Sequence, residues 1–177
     1  MTKKLTRAEY SSALLTELRD LIESARQHVA QTANATQTML YWHIGLRVQR
    51  EVLKNGRAEY GEQIVSTLST QLAAEYGQAF GVRSLRRMVQ FAEVFPDEAV
   101  VAALSRQLSW SHFIEILPLK QPLEREYYAE LCRVERWSVR TLRERIGSQL
   151  YLRTAIARKP EKLAQAEISH LRAGAAR

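Results

Sequence analysis

An all-α fold is the architecture this sequence predicts, and three observations predict it. Apolar residues recur at spacings of three and four along most of the chain. Alternation of the β kind never persists beyond a few residues. Seven glycines and four prolines punctuate the 177 residues sparsely, mostly at the ends of the periodic stretches. The expectation is about seven or eight helices: a long N-terminal helical hairpin (about 6–56), a compact helix-turn-helix-like cluster (57–157) and a weakly ordered basic tail (158–177).

The elements follow in order. Thr6 with Glu9 three positions on reads as a capping box that opens a helix. Leu14, Leu18, Leu21 and Ala25 then repeat at four, three and four, with Leu15, Ile22 and Val29 one heptad apart alongside. This wide apolar face requires a second helix against it, in the same chain or in another copy, so Leu14, Leu18, Leu21 and Ile22 are expected assembly residues. QTANATQ (31–37) is either a turn or a weak spot in a longer helix. A second helix runs through MLYWHIGLRVQREVL to Asn55-Gly56, where the glycine can take the left-handed conformation that ends it.

A third helix spans about Glu62 to Tyr76, with Ile64, Leu68, Leu72 and Tyr76 on one face, and Gly77 stops it. Val82 or Ser84 opens the fourth, which Pro96 ends. Ser109 is placed to cap a short WSHFIEIL helix that stops before Pro118, and Pro122 fits the first turn of the next, through about Val134. Ser138 opens the last strong helix, with Val139, Leu142, Ile146 and Leu150 as its core stripe. Beyond Pro160 a weak helix fades into LRAGAAR.

Composition narrows the function. The longest unbroken apolar run, Ala99 to Leu104, is far short of the roughly 20 residues that cross a bilayer, so no membrane role is expected. MTKKLTRAEY has no apolar core behind its lysines and is not a secretory signal. The one cysteine, Cys132, excludes an internal disulfide; together these features point to the cytoplasm. Net charge is +7, and residues 132–177, with eleven Lys/Arg against four Asp/Glu, hold the whole excess. A polyanionic partner explains this asymmetry, nucleic acid before an acidic membrane surface, and so does a solvated basic tail.

Catalytic signatures are missing. The sequence has neither a Gly-rich phosphate loop nor a GxSxG elbow. His28, His43, His112 and His170 are scattered, Cys132 has no neighbouring ligand, and no metal or other cofactor is expected. His43, between Trp42 and Ile44, reads as a packed helix residue rather than a ligand. No Asp or Glu has a lysine two positions on, the local mark of magnesium-dependent nucleases of the restriction kind.

Two stretches suit DNA. In GVRSLRRMVQFAEVF (81–95), Leu85, Met88, Val89, Ala92 and Phe95 form a buried face that leaves Arg83, Arg86, Arg87 and Gln90 exposed. With the preceding helix and a turn bounded by Gly77 and Gly81, this resembles a helix-turn-helix whose second helix meets the major groove. A plain solvated face fits equally. In RVERWSVRTLRERIGSQLYLR (133–153), Arg136, Arg140 and Arg143 recur at four and three opposite the core stripe, flanked by Arg133, Arg145 and Arg153. The guanidinium fork donates two hydrogen bonds at once to a phosphate, although some of these arginines could instead pair with acids on other helices.

YWHIG (41–45), AEYGEQIVSTLSTQLAAEYG (58–77), SLRRMVQFAEVFP (84–96), LSWSH (108–112) and WSVRTLRERIGSQLYLR (137–153) stand in an order that resembles the N-terminal domain of the bacterial YhcG family. Full-length members of that family end in a PD-(D/E)xK nuclease domain. The resemblance covers about residues 10–157. It implies a helical domain of winged helix-turn-helix type that binds DNA and is joined to a nuclease. Ser84-Leu85 stand here in place of the family's Asn-Leu pair, and Val89 and Ala92 in place of an arginine and a tyrosine.

The resulting expectation is a non-catalytic DNA-binding domain that positions a nuclease, as a dimer or other homo-oligomer. The alternative is a protein-assembly module that does not itself touch DNA. Salt separates the two, because phosphate binding weakens steeply with counterion concentration and apolar helix pairing does not.

Overall fold

A computed structural model describes residues 7–55, 58–156 and 160–174. Among them all regular structure is helical: α1 (Arg7–Asn55), α2 (Ala58–Tyr76), a 3₁₀ turn (Gln78–Phe80), α3 (Val82–Val94), α4 (Glu98–Ser105), α5 (Trp110–Ile116), α6 (Pro122–Glu135), α7 (Val139–Gly147), α8 (Leu150–Ile156) and α9 (Pro160–Gly174). The all-α expectation holds. The β-strands that make the wing of a winged helix are not found among the described residues. Thr6 and Gly56 lie outside them.

The N-terminal hairpin is replaced by a single helix. α1 runs unbroken through QTANATQ, which contains neither Gly nor Pro, and Thr38 Oγ1 bonds back to the Asn34 carbonyl at 2.8 Å without bending the chain out of the helix. The chain's contacts divide not at residue 56 but between Ala33 and Asn34. In the first unit the side chains of residues 12–33 are exposed. Leu14, Leu18, Leu21 and Ile22 are 53%, 47%, 67% and 51% exposed, so their expected burial within this chain does not occur.

The second unit, 34–177, carries the core. One cluster is nucleated by Trp42, Phe91, Phe113, Ile116, Tyr128 and Leu142; a smaller one joins Tyr41, Val48, Val65, Leu85 and Met88. Aromatic edges knit them. Phe91 lies 4.6 Å from Phe113 and 5.4 Å from Trp110, whose ring meets Tyr41 at 5.2 Å. Trp42 Nε1 donates to the Phe95 carbonyl at 2.8 Å, tying α1 to the end of α3.

On α2 the buried positions are Gly61, Val65 and Ser69, with Ile64, Leu68 and Leu72 half-buried. Tyr76, expected on the core face, is 65% exposed. The stripe is rotated because its smallest residues let α2 approach α1: a Cβ on Gly61 would stand 2.7 Å from Val52.

Pro122 opens α6 as expected, and Ser138 Oγ caps α7 by accepting from the Thr141 amide at 3.1 Å. The helix from Ser138 does not reach Leu150 unbroken. It ends at Gly147, and Gln149 takes a left-handed φ of 54° before α8 begins. The break is held by Tyr128, whose hydroxyl donates to the Arg145 carbonyl at 3.3 Å and accepts from the Tyr151 amide at 3.1 Å. One phenol thus satisfies backbone groups on both sides of the turn.

The C-terminal segment, expected as a weakly ordered tail, forms α9. Ile168 is buried and Leu171 packs on the core. Arg172 reaches Glu126, and Glu130 at 3.3 Å, both on α6.

Candidate nucleic-acid interface

The passage read as helix-turn-helix-like comprises α2, the 3₁₀ turn and α3. α2 ends at Tyr76, Gly77 turns the chain at φ 91°, the 3₁₀ turn follows, and α3 starts after Gly81. On α3, Leu85, Met88 and Ala92 are buried, while Val89 and Phe95 (which follows the helix) are half-buried. Arg83 is exposed. Arg86 is exposed but turned to α2, where it meets Glu62 at 2.5 Å. Arg87 is half-buried, and Gln90 makes a long contact of 3.4 Å to the Leu117 carbonyl. Of the four residues expected to face solvent freely, Arg83 alone is exposed with neither an ion pair nor a side-chain hydrogen bond among the described residues.

The arginine row at 133–153 is likewise reapportioned. Arg136 does not sit on α7: it ends α6 in a left-handed conformation, φ 52°, and is exposed. Arg133 is half-buried and bonds to Glu130 at 2.7 Å. Arg140 pairs with Glu144 one turn on, at 3.1 Å. Arg143 crosses to α5 and meets Glu115 at 2.6 Å; that hydrogen bond and the carboxylate's charge hold its guanidinium above its ordinary pKa. Arg145 lies 5.7 Å from the centroid of the Trp137 ring, over its face. Arg153 on α8 is exposed without a carboxylate partner among the described residues.

Gln90 of α3 and Arg143 of α7 reach residues 117 and 115, the end of one short helix. One residue from each basic stretch, some 50 residues apart in sequence, thus contacts the C-terminal end of α5. α5 is in turn pinned to the start of α7 by His112. Its Nε2 must carry the proton, because its partner at 2.9 Å is the Trp137 carbonyl; Nδ1 then accepts from the Ser109 amide at 3.1 Å. Ser109 stands at the helix start as expected, with His112 as its counterpart.

Other titratable groups do not assemble. No set of three or more His, Cys, Asp or Glu positioned for a metal occurs among the described residues. His43, expected as a packed residue, is half-exposed and faces Glu98 at 3.5 Å. A groove of about 640 Å³ between α1 and α2, lined by Val48, Ile64 and Leu68, carries only the Arg47–Glu51 pair as charge among the described residues. No helix among the described residues is long and apolar enough to cross a membrane.

The family model of the DUF1016 N-terminal domain matches residues 17–153. The chain belongs to this family. It is also similar, at 28% identity over 175 residues, to a protein of Escherichia coli (strain K12) named "Putative nuclease YhcG". That alignment covers 82% of this chain and 47% of the relative, so the chain spans about half of the relative's length. No solved structure matches it. The resemblance to the YhcG family drawn from the sequence is thereby established.

Within this DUF1016 domain the match ends inside α8, whereas the packed α9 lies beyond it. The acids that partner the arginines were missed from sequence for different reasons. Glu144 stands four residues after Arg140, and that spacing was a legible signal. Glu62 and Glu115 stand 24 and 28 residues from their partners, and only the packing of α2 on α3 and α5 on α7 brings them in.

Proposed function

We propose that this DUF1016 domain is a non-catalytic DNA-binding module that brings a nuclease domain to its substrate in longer relatives. The observation that carries the reading is the convergence of the two basic stretches on the end of α5. In this reading the exposed arginines nearest that end, Arg83 on α3 and Arg136, Arg140 and Arg143 at and on α7, are the phosphate-binding residues. Arginines suit phosphates, since the planar guanidinium fork donates two hydrogen bonds at once. The name of the E. coli relative and its additional length support the link to a nuclease.

The contacts belong to backbone binding rather than base reading. Arg86 is engaged by Glu62, and Arg87 is half-buried, so little of α3 remains to enter a groove. The test is fluorescence anisotropy with pooled duplex and single-stranded DNA across a salt series. Affinity should fall linearly in log–log form, by about 0.9 per phosphate contacted on duplex. Absence of binding at low salt, or binding indifferent to salt, overturns the reading. Incubation of the same DNA with Mg²⁺ or Mn²⁺ should leave it intact; cutting that one carboxylate substitution abolishes would make this chain an enzyme.

A further inference from the structure

We propose that residues 14–29 of α1 pair with the same segment of a second copy of this chain, forming a helical coil that makes the protein a dimer. Six large aliphatic side chains crowd this segment: Leu14, Leu15, Leu18, Leu21, Ile22 and Val29 are between 47% and 67% exposed. They expose on the order of 600 Å² per copy, at the upper end of what a monomer shows as its largest apolar patch. Two copies joined through it would bury about 1,200 Å², above the roughly 1,000 Å² that a specific interface must clear.

The spacing identifies the occupant. Leu14, Leu18, Leu21 and Ala25 alternate at four and three, the seam of a left-handed coil, so knobs on one copy find matching holes on the other. Leu15, Ile22 and Val29 widen that seam on one side at intervals of seven. An identical partner is self-complementary by a two-fold axis and needs no second protein.

Charge excludes two other occupants. The charged residues of 12–33 are Glu17, Arg19, Asp20, Glu23 and Arg26, a near balance, with Arg26 bonded to Glu23 at 3.0 Å. A helix that lies on an anionic lipid surface carries an excess of Lys/Arg on its polar face, and this one does not. The same balance offers nothing to DNA and sets up no strong repulsion between copies.

The pairing is independent of DNA binding, and its test is run without DNA at about 1 M salt, where phosphate contacts are suppressed. Light scattering on the eluting full chain should give twice its 20.3 kDa mass. Leu18→Glu with Leu21→Glu should give one copy, while Asp20→Asn on the outer face should stay at two. Leu18→Gln removes the seam without adding charge and serves if the double variant fails to fold; it should raise the dissociation constant by about tenfold or more. A wild-type chain of one copy, or of more than two, overturns the proposal. So does a Leu18→Gln chain that dissociates no more readily than the parent.

Discussion

Gly45 of α1 lies against Met88 of α3 so closely that a Cβ on the glycine would stand 1.8 Å from the Met88 carbonyl oxygen. Two helix backbones meet there without a side chain between them, beneath Tyr41 and Leu85 of the same core cluster. Gly45→Ala cannot be absorbed by a rotamer change, because the obstacle is backbone. α1 and α3 would have to separate, exposing Met88, which is fully buried. Overpacking commonly costs about 1–3 kcal/mol, and this site should reach or pass the upper figure. A urea midpoint unchanged by the substitution would mean that the helices do not touch there.

His112 should behave as a structural pin. His112→Ala leaves the Ser109 amide and the Trp137 carbonyl without their partners at the junction of α5 and α7. Each buried group left unsatisfied costs about 1–3 kcal/mol. His112→Phe fills the space but bonds to neither, so it should restore little of the loss. Full restoration by Phe in chemical denaturation would show that packing, not hydrogen bonding, is the role of this ring.

These two residues mark what the sequence could and could not show. Most helices were legible, because period, caps and prolines act locally: Pro122 and Ser138 stand where their chemistry requires, whereas α4 (Glu98–Ser105), capped by Asp97, and the break after Gly147 were not. The rotation of α2 was not, since burial of Gly61 and Ser69 is set by how closely α1 approaches. Nor was the continuity of α1, where a polar stretch free of Gly and Pro is compatible with both turn and helix. At the candidate interface, which residues are arginines was readable, but not which of them are already engaged. Arg86 and Arg143 depend on Glu62 and Glu115, and only tertiary packing brings these together.

Cys132 gives a pH-dependent prediction. Burial, and secondarily the Glu135 charge, pushes its thiol up from 9.0 to about 12. At pH 8 the folded protein would hold only about one thiolate in ten thousand, so a thiol-specific reagent should react very slowly until the chain unfolds. The neutral thiol is the form the fold favours. Its contribution to stability is therefore complete below about pH 9 and declines as pH rises from there toward 12. Rapid labelling of the native protein at pH 8 would contradict this burial.

The exposed arginines of 133–153 should divide into two classes in DNA binding. Arg136 and Arg153 are exposed and paired with no carboxylate among the described residues, so Arg136→Gln with Arg153→Gln should weaken binding to all sequences alike. The salt slope should flatten by up to about 2 units, since each lost phosphate contact removes about 0.9. Arg140 and Arg143 differ, because each is held by an acid, Glu144 and Glu115. Replacing these two by Gln removes phosphate donors and also leaves two carboxylates facing the DNA backbone. Affinity should then fall further than the change in slope accounts for. Adding Glu115→Gln to Arg143→Gln should recover part of that excess, because the unpaired carboxylate is removed while the guanidinium stays absent. Arg83→Gln should cost less than either pair, since α3 offers no other unpaired cation exposed beside it. If the Arg136/Arg153 pair binds with the parent's affinity and slope, these arginines do not carry the phosphate contacts, and the interface must be sought elsewhere on the chain.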